Sequence, residues 1–217
     1  MRLVSYNIRK AVGLDWRRDP GRVVDVLAEI DADIVVLQEA DKRMGKRAGV
    51  LPLERLQQMG YDLAEVAIRP ASHGWHGNAI LYRGLRLAHA GRVELPMLEP
   101  RGAVRAQFHG LAVIGAHLGL TRAIRRRQID ALCAAMDGPS IIAGDFNEWA
   151  AELPASAGQV LTPGPSFHAA RPVATLDRFI VSGITPKHYY VHHCALAARA
   201  SDHLPVVLEF DPQGAPA

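Results

Sequence analysis

The octapeptide Ser140-Ile-Ile-Ala-Gly-Asp-Phe-Asn147 constrains the chain more than any other stretch. Pro139 breaks what precedes it, and Ile141-Ile142-Ala143 is an apolar run short enough to be a buried strand. The run stops at Gly144 and gives way to Asp145 and Asn147. Residues two apart in an extended chain point to one face, so a carboxylate and an amide stand together at the mouth of a rigid strand. Gly144 leaves room for close approach by a ligand or by a second backbone. A carboxylate takes a hard cation or a proton, and an amide donates to an anionic oxygen. Taken alone, Asp-x-Asn is also explained by a turn in which the side chain bonds its own backbone. Other strands of this chain end in the same way.

Leu3 to Ile8 reads as a first strand, closing on Asn7 and Arg9. Asp19-Pro20 supplies an N-cap with proline at the first helical position, and Val23, Val24, Val26, Leu27 and Ile30 form the apolar face of a helix over 20–30. Asp33 to Gln38 is a continuous apolar run, as in a strand buried on both faces, and Glu39 closes it. Asp41 to Gly49 is a basic, glycine-punctuated loop that suits either solvent or a phosphate chain. Pro52 to Met59 reads as a second helix. Short apolar segments over 61–68, 78–83, 85–93, 104–109 and 111–116 read as largely antiparallel strands. Thr121 can cap a helix over 122–136 whose apolar face holds Ile124, Ile129, Leu132 and Met136. A Pro/Gly/Ala-rich stretch over 154–165 follows the central strand, then strands over 176–181, 187–193 and 205–210.

Strand–helix–strand occurs once in each half. The expectation is therefore one α/β (α+β) domain over 1–211, with two packed sheets, helices outside, and a C-terminal tail over 212–217. At 217 residues and 49% hydrophobic, the chain has ample material for such a core. No stretch approaches the length that spans a bilayer, and Arg2 to Asn7 reads as a strand rather than a leader, so the cytoplasm is the expected location. Cys133 and Cys194 are too few and too far apart to suggest a disulfide framework or a zinc cluster. A net charge of +3 permits an anionic substrate without identifying one.

The polar residues at strand ends form a set: Asn7, Glu39, Asn78, His117, Asp145, Asn147, Asp177 and Asp202-His203. Carboxylates for Mg²⁺ or Mn²⁺, amides for phosphate oxygens and two histidines for proton transfer are the parts of a metal-dependent phosphoester hydrolase. No Gly-x-Ser-x-Gly elbow and no phosphate-binding Gly-x-x-x-x-Gly-Lys loop is present.

Ser-Tyr-Asn7-Ile, Leu-Gln-Glu39, Gly-Asn78-Ala-Ile-Leu, Ala-His117-Leu, Gly-Asp145-Phe-Asn147, Leu-Asp177-Arg-Phe-Ile and Ser-Asp202-His203-Leu-Pro occur in this order. They resemble the motifs of the endonuclease/exonuclease/phosphatase (DNase I-like) superfamily, and the match runs over nearly the whole chain. The resemblance implies a four-layered α/β sandwich, two mixed β-sheets flanked by helices, with the site where strand ends of both sheets meet. It implies Glu39 as principal metal ligand with Asn7 beside it and Asp202 as a second contact. It implies Asp145 as the residue that orients or deprotonates water, Asn147 as a phosphate holder, His203 as the catalytic histidine fixed by Asp177, and His117 as a second histidine. Asn78 either binds phosphate or orients His117. Arg9 stands where abasic-site endonucleases carry an aspartate, and with Arg101 it is a candidate phosphate contact.

The substrate is less constrained than the reaction. A nuclease reading rests on Arg43, Lys46 and Arg47, on Arg101 and Arg105, and on Arg122 and Arg125 to Arg127, with Trp75 and Trp149 as base-stacking candidates. The alternative is a phosphodiesterase or phosphatase acting on a phospholipid headgroup or a small phosphoester, with the same tryptophans against a membrane and the same cations against anionic lipid. Arg125 to Arg127 are equally well explained as a solvated helical turn, and both tryptophans are better explained as core or rim packing.

Overall fold

A computed structural model describes residues 1–96 and 101–211; the tail expected over 212–217 lies outside the described residues. Strand β1 (Arg2–Asn7) runs parallel to β2 (Ile34–Gln38), and helix α1 (Pro20–Ile30) crosses between them. Asp19 caps α1 by accepting the Arg22 N–H at 3.4 Å, and all five apolar residues of its expected face are buried. After helix α2 (Leu53–Gln58), strands β3 (Asp62–Leu63) and β4 (Ala79–Tyr82), with the later strands β11 (Thr185–Val191) and β12 (Val206–Asp211), complete a six-stranded sheet, order β11-β12-β1-β2-β4-β3.

The second sheet contains β5 (Leu87–Glu94), β6 (Gly102–Phe108), β7 (Leu111–His117), β8 (Ser140–Asp145), β9 (Gln159–Leu161) and β10 (Asp177–Ser182), in the order β5-β6-β7-β8-β10-β9. Helix α3 (Arg122–Ala134) crosses from β7 to the parallel strand β8. Each sheet thus centres on one parallel pair flanked by antiparallel strands, which is the duplication expected from the two strand–helix–strand units.

Alternation along the central strands decides which layer each residue enters. Ile34 and Val36 of β2 meet Val104, Val113, Ile141 and Phe179 between the sheets. Val35 and Leu37 point the other way and pack with α1. Ile129, Leu132 and Cys133 of α3 cover Ile114, Ile142 and Ile180 on the outer face of the second sheet. Each fully buried aliphatic side chain contributes about 1.5–3 kcal/mol relative to exposure. The layers are helix, sheet, sheet, helix.

Several elements differ from expectation. The segment over 61–68 pairs only at Asp62 and Leu63; Ala64 and Val66 reach the inter-sheet core without a ladder, and Ile68 is exposed. Thr121 occupies the N-cap of α3 but its hydroxyl makes no capping bond. The Pro/Gly/Ala-rich stretch contributes β9, held by three residue pairs with β10. A short helix α4 (Ala197–Ala200) precedes the Ser201-Asp202-His203 segment and had no sequence signal. Gly144 does serve a close approach, but to backbone: a Cβ there would lie 1.9 Å from the Ala116 carbonyl oxygen of β7.

Candidate active site

Register brings three of the expected residues level with one another. His117 of β7 is paired with Asp145 of β8, and Asp145 is paired in turn with Asp177 of β10. In the facing sheet, Asn7 ends β1 opposite Gln38, Glu39 follows β2, and Asp202-His203 precedes β12. The parallel strands end, and the antiparallel ones begin, at the same edge. That edge is where the two sheets' polar residues meet.

Asp145, almost wholly buried, is the hub. Its Oδ2 accepts from Asn7 Nδ2 at 3.0 Å, which ties the sheets together, and lies 3.4 Å from His117 Nε2 and 3.6 Å from His203 Nε2. Its Oδ1 accepts the Asn147 backbone N–H at 2.9 Å. Asp177 Oδ2 meets His203 Nδ1 at 2.8 Å, so the other ring nitrogen of His203 faces Asp145. The Ser166 hydroxyl donates to the same Asp177 oxygen at 2.5 Å, while Asp177 Oδ1 is buried without a hydrogen-bond partner among the described residues. Asp145, Asp177 and His203 also lie close enough together to hold a metal ion. The 2.8 Å contact between Asp177 and His203 already satisfies that pair as a carboxylate–imidazole hydrogen bond.

The two histidines are driven apart electrostatically. For His203, burial opposes the charged ring, but the charge and hydrogen bond of Asp177, with Asp145 and Asp202 behind them, prevail and raise its pKa to about 10. For His117, burial dominates, the attraction of Asp145 only partly offsets it, and Arg101, His203 and Lys10 add repulsion; its pKa falls to about 4. At neutral pH the site therefore presents one imidazolium and one neutral imidazole on either side of a carboxylate.

Glu39 has a left-handed backbone (φ 55°) and its carboxylate is ion-paired with the Lys10 ammonium. Asn147 is also left-handed (φ 50°) and its Nδ2 donates to the Leu118 carbonyl at 2.9 Å. Non-glycine residues in this region are costly and tend to mark functional turns. Asn7 Oδ1 accepts the Arg9 N–H at 3.1 Å. Arg9 Nε lies 3.3 Å from Asp202 Oδ2, and its guanidinium covers the Trp16 ring at 4.5 Å. Asn78 is buried just before β4: its Nδ2 donates to Gly102 O at 2.8 Å, and its Oδ1 has no hydrogen-bond partner among the described residues.

A cleft of about 110 Å³ opens beside His117 and Glu39. Lys10, Lys42, Arg43, Arg47 and Arg101 line it, with His76, Asp41 and Ser72. The loop over 41–49 thus borders the site rather than standing apart from it.

Two substrate contacts read from sequence change. Arg125 does not lie on a solvated turn: it is buried, its Nη2 meets Glu148 Oε2 at 3.0 Å, and its Nη1 bonds the Leu120 carbonyl at 2.5 Å. Arg126 and Arg127 are exposed. Trp75 packs at the edge of the inter-sheet core and over Gly102, where a Cβ would lie 2.2 Å from its ring. Trp149 is 66% exposed, with Phe167 at 6.1 Å between ring centroids, and Phe167 in turn lies 4.9 Å from the His203 ring.

Two supporting residues escaped sequence reasoning. Ser166 is an isolated serine in an irregular stretch and carries no signal. Arg178 is fully buried beside Asp177, and donates to the carbonyls of Thr175, Glu148, Ala150 and Ala151. It fixes the turn after Asn147. Its position inside an apolar strand was the available signal, since a buried arginine must bond several acceptors.

Comparison with known proteins bears on the family and the fold. The profile described as "Endonuclease/Exonuclease/phosphatase family" matches residues 4–203. The uncharacterized protein YbhP of Escherichia coli K12 is 29% identical over 222 residues, covering 85% of each chain. The solved structure of D. rerio TDP2 complexed with single-strand DNA product superposes with a TM-score of 0.70 at 18% identity, covering 97% of this chain and 98% of that one. The Bacteroides thetaiotaomicron mannosyl-6-phosphatase Bt3783 does so with a TM-score of 0.67 at 20% identity, covering 97% and 99%. At these identities the solved structures establish the fold alone.

Proposed function

Because the chain belongs to the endonuclease/exonuclease/phosphatase family and so is a phosphoester hydrolase, we propose that it is a divalent-metal-dependent phosphodiesterase whose substrate is single-stranded nucleic acid. The observation that carries the reaction is the Asp177–His203–Asp145 arrangement, with His203 charged and His117 neutral. The observation that favours nucleic acid is the cleft of Lys42, Arg43, Arg47 and Arg101 beside it. A strand entering at Asp145 has a neighbouring phosphate to place there. The TDP2 structure with its DNA product is consistent with a single strand lying across this fold.

The donor set suits a hard ion: Glu39, Asn7 and Asp202 offer oxygens, and Glu39 already bears a cation in the Lys10 ammonium. Mg²⁺ or Mn²⁺ held by these residues would neutralise the phosphate oxygens that otherwise repel an incoming hydroxide. The remaining work falls to the chain's own groups. Asp145 Oδ2 orients a water and accepts its proton. His203, held by Asp177 through Nδ1, directs its Nε2–H at the phosphorane, so that as the water oxygen bonds to phosphorus the opposite P–O ester bond breaks and the departing oxygen takes that proton. Neutral His117 donates a hydrogen bond without adding charge. The second amide N–H of Asn147, with Arg9 and Arg101, holds non-bridging oxygens. Asn78 supports the entry to β6 through Gly102 and so acts on His117 indirectly. A cytoplasmic location fits this reading, and among the described residues no helix is long and apolar enough to cross a membrane.

A second reading is a phospholipid headgroup. Trp149, Leu120 and Val173 are exposed apolar side chains, and all three flank the site: Val173 donates its N–H to the Phe167 carbonyl, and Leu120 is tied through Arg125 to Glu148. Such a rim suits a membrane surface. An end-labelled single-stranded oligonucleotide and phospholipid vesicles, each incubated with Mn²⁺, separate the two. Cleavage of the oligonucleotide is expected. Headgroup release with an intact oligonucleotide supports the lipid reading, and neither, with activity on small esters, supports a small phosphoester.

A further inference from the structure

Glu29, His192 and Cys194 form a second cluster that shares no residue with the phosphoester site. Glu29 stands in the last turn of α1, and His192 and Cys194 lie between β11 and α4. One carboxylate oxygen, one imidazole nitrogen and one sulfur lie within 4.8 Å of one another. We propose that they bind a zinc-class divalent ion.

Three features of the cluster support this. His192 Nε2 is enclosed and lies 3.3 Å from Glu29 Oε1, an ion-pair distance, yet among the described residues it makes no hydrogen bond. A plain Glu–His pair would align the N–H with the carboxylate; an imidazole lone pair aimed at a shared ion would not. Two ligands are held on fixed backbone: the His192 backbone N–H donates to Pro205 O at 2.8 Å, and Cys194 Sγ accepts the Ala197 backbone N–H at 3.3 Å while packing against the outer core. Both cysteines are free, so this sulfur is not consumed in a disulfide. Bond lengths of about 2.3 Å to sulfur and about 2.0–2.2 Å to nitrogen and oxygen place tetrahedral donors roughly 3.3–3.7 Å apart. The Glu29–His192 separation of 3.3 Å is already in that range, and all three donors lie within 4.8 Å of one another, so side-chain rotations of the three would close them on an ion with water in the fourth position.

The donor types choose the ion. Sulfur with imidazole selects Zn²⁺ or a neighbour in the transition series over Mg²⁺ or Mn²⁺, which prefer oxygen. Thiolate and carboxylate together balance the charge of the ion, and binding releases the thiol proton. The ion cross-links α1 to the connection that leads through α4 to Ser201, whose hydroxyl holds the Asn7 carbonyl at 2.7 Å, and on to His203. Its expected consequence is stability of this corner, whatever the substrate is.

Cobalt(II) tests the site because only a sulfur ligand produces a near-ultraviolet thiolate-to-metal charge-transfer band, so oxygen-rich metal sites stay silent. The full chain, stripped with chelator, is titrated with Co²⁺ and then Zn²⁺. One equivalent should develop the band, Zn²⁺ should bleach it, and Zn²⁺ should raise Tm. Cys194→Ser should abolish the band and the Tm shift, and Cys133→Ser should keep both. His192→Ala and Glu29→Gln should weaken Co²⁺ by at least about tenfold. If Cys194→Ser fails to fold by circular dichroism, the His192→Ala and Glu29→Gln affinities decide. No band in the wild-type chain, a band that survives in Cys194→Ser, or unchanged affinity in both other variants overturns the proposal.

Discussion

Asp145 Oδ2 lies within 3.6 Å of both site histidines, and the charges of those rings are what distinguish them. The folded pKa of His203 is raised to about 10, so its contribution to stability is complete below the ordinary value of ~6.5 and is lost as pH rises through about 10. The folded pKa of His117 is lowered to about 4, so the unfolded chain takes up that proton first and stability falls as pH drops below ~6.5. In metal-free buffer, urea midpoints should therefore decline on both sides. His117→Gln should flatten the acid arm between about pH 6.5 and 5, and an unchanged slope would mean the ring is not held neutral by burial. For turnover, His203→Ala and Asp177→Asn should each cost about a hundredfold or more, and the double variant should be little worse than His203→Ala. Multiplying losses would mean that Asp177 acts alone. Motif order made these residues legible as a set. A charged His203 follows from pairing it with Asp177, but the neutral state of His117 was not legible, because its burial exists only once the strands are in register.

At the scale of elements, the buried arginines show where local pattern misleads. Arg125, Gln128, Ile129 and Leu132 share one face of α3, and all are buried. The helical period held that information, but a run of three arginines reads more readily as a solvated turn. Arg125→Ala removes the ion-pair partner of buried Glu148, whose Oε1 keeps the Ala150 N–H, and should cost about 3 kcal/mol in urea denaturation, whereas Arg126→Ala and Arg127→Ala should stay within about 0.5 kcal/mol. Equal effects would contradict the burial of the pair. The strands were more legible than the turns. β1, β2, β8 and β10 fall within a residue or two of expectation because continuous apolar runs mark central strands. The short pairing at β3, the β9 edge and α4 depend on partners distant in sequence.

At the scale of the whole molecule, two similar six-stranded sheets bring one polar edge together, and the loop over 41–49 adds a cationic cleft to it. Sequence left that loop undecided between solvent and phosphate because nothing local says what it faces. If single strands run through the cleft, Lys42→Ala and Arg43→Ala should each reduce the salt slope of oligonucleotide binding by roughly 0.7, and Arg126→Ala should not. An unchanged slope in the cleft variants would favour a lipid headgroup or small ester. The reaction itself is tested most directly by hydrolysis of bis-p-nitrophenyl phosphate after chelation, with Mg²⁺ or Mn²⁺ restored, by the wild-type chain and by folded Glu39→Gln and Asp145→Asn variants. Activity that returns with the ion in the wild-type chain, needs far more ion in Glu39→Gln, and is lost in Asp145→Asn is the expected result. Hydrolysis that ignores the ion, or that persists in folded Asp145→Asn, would contradict a metal-dependent phosphodiesterase centred on Asp145.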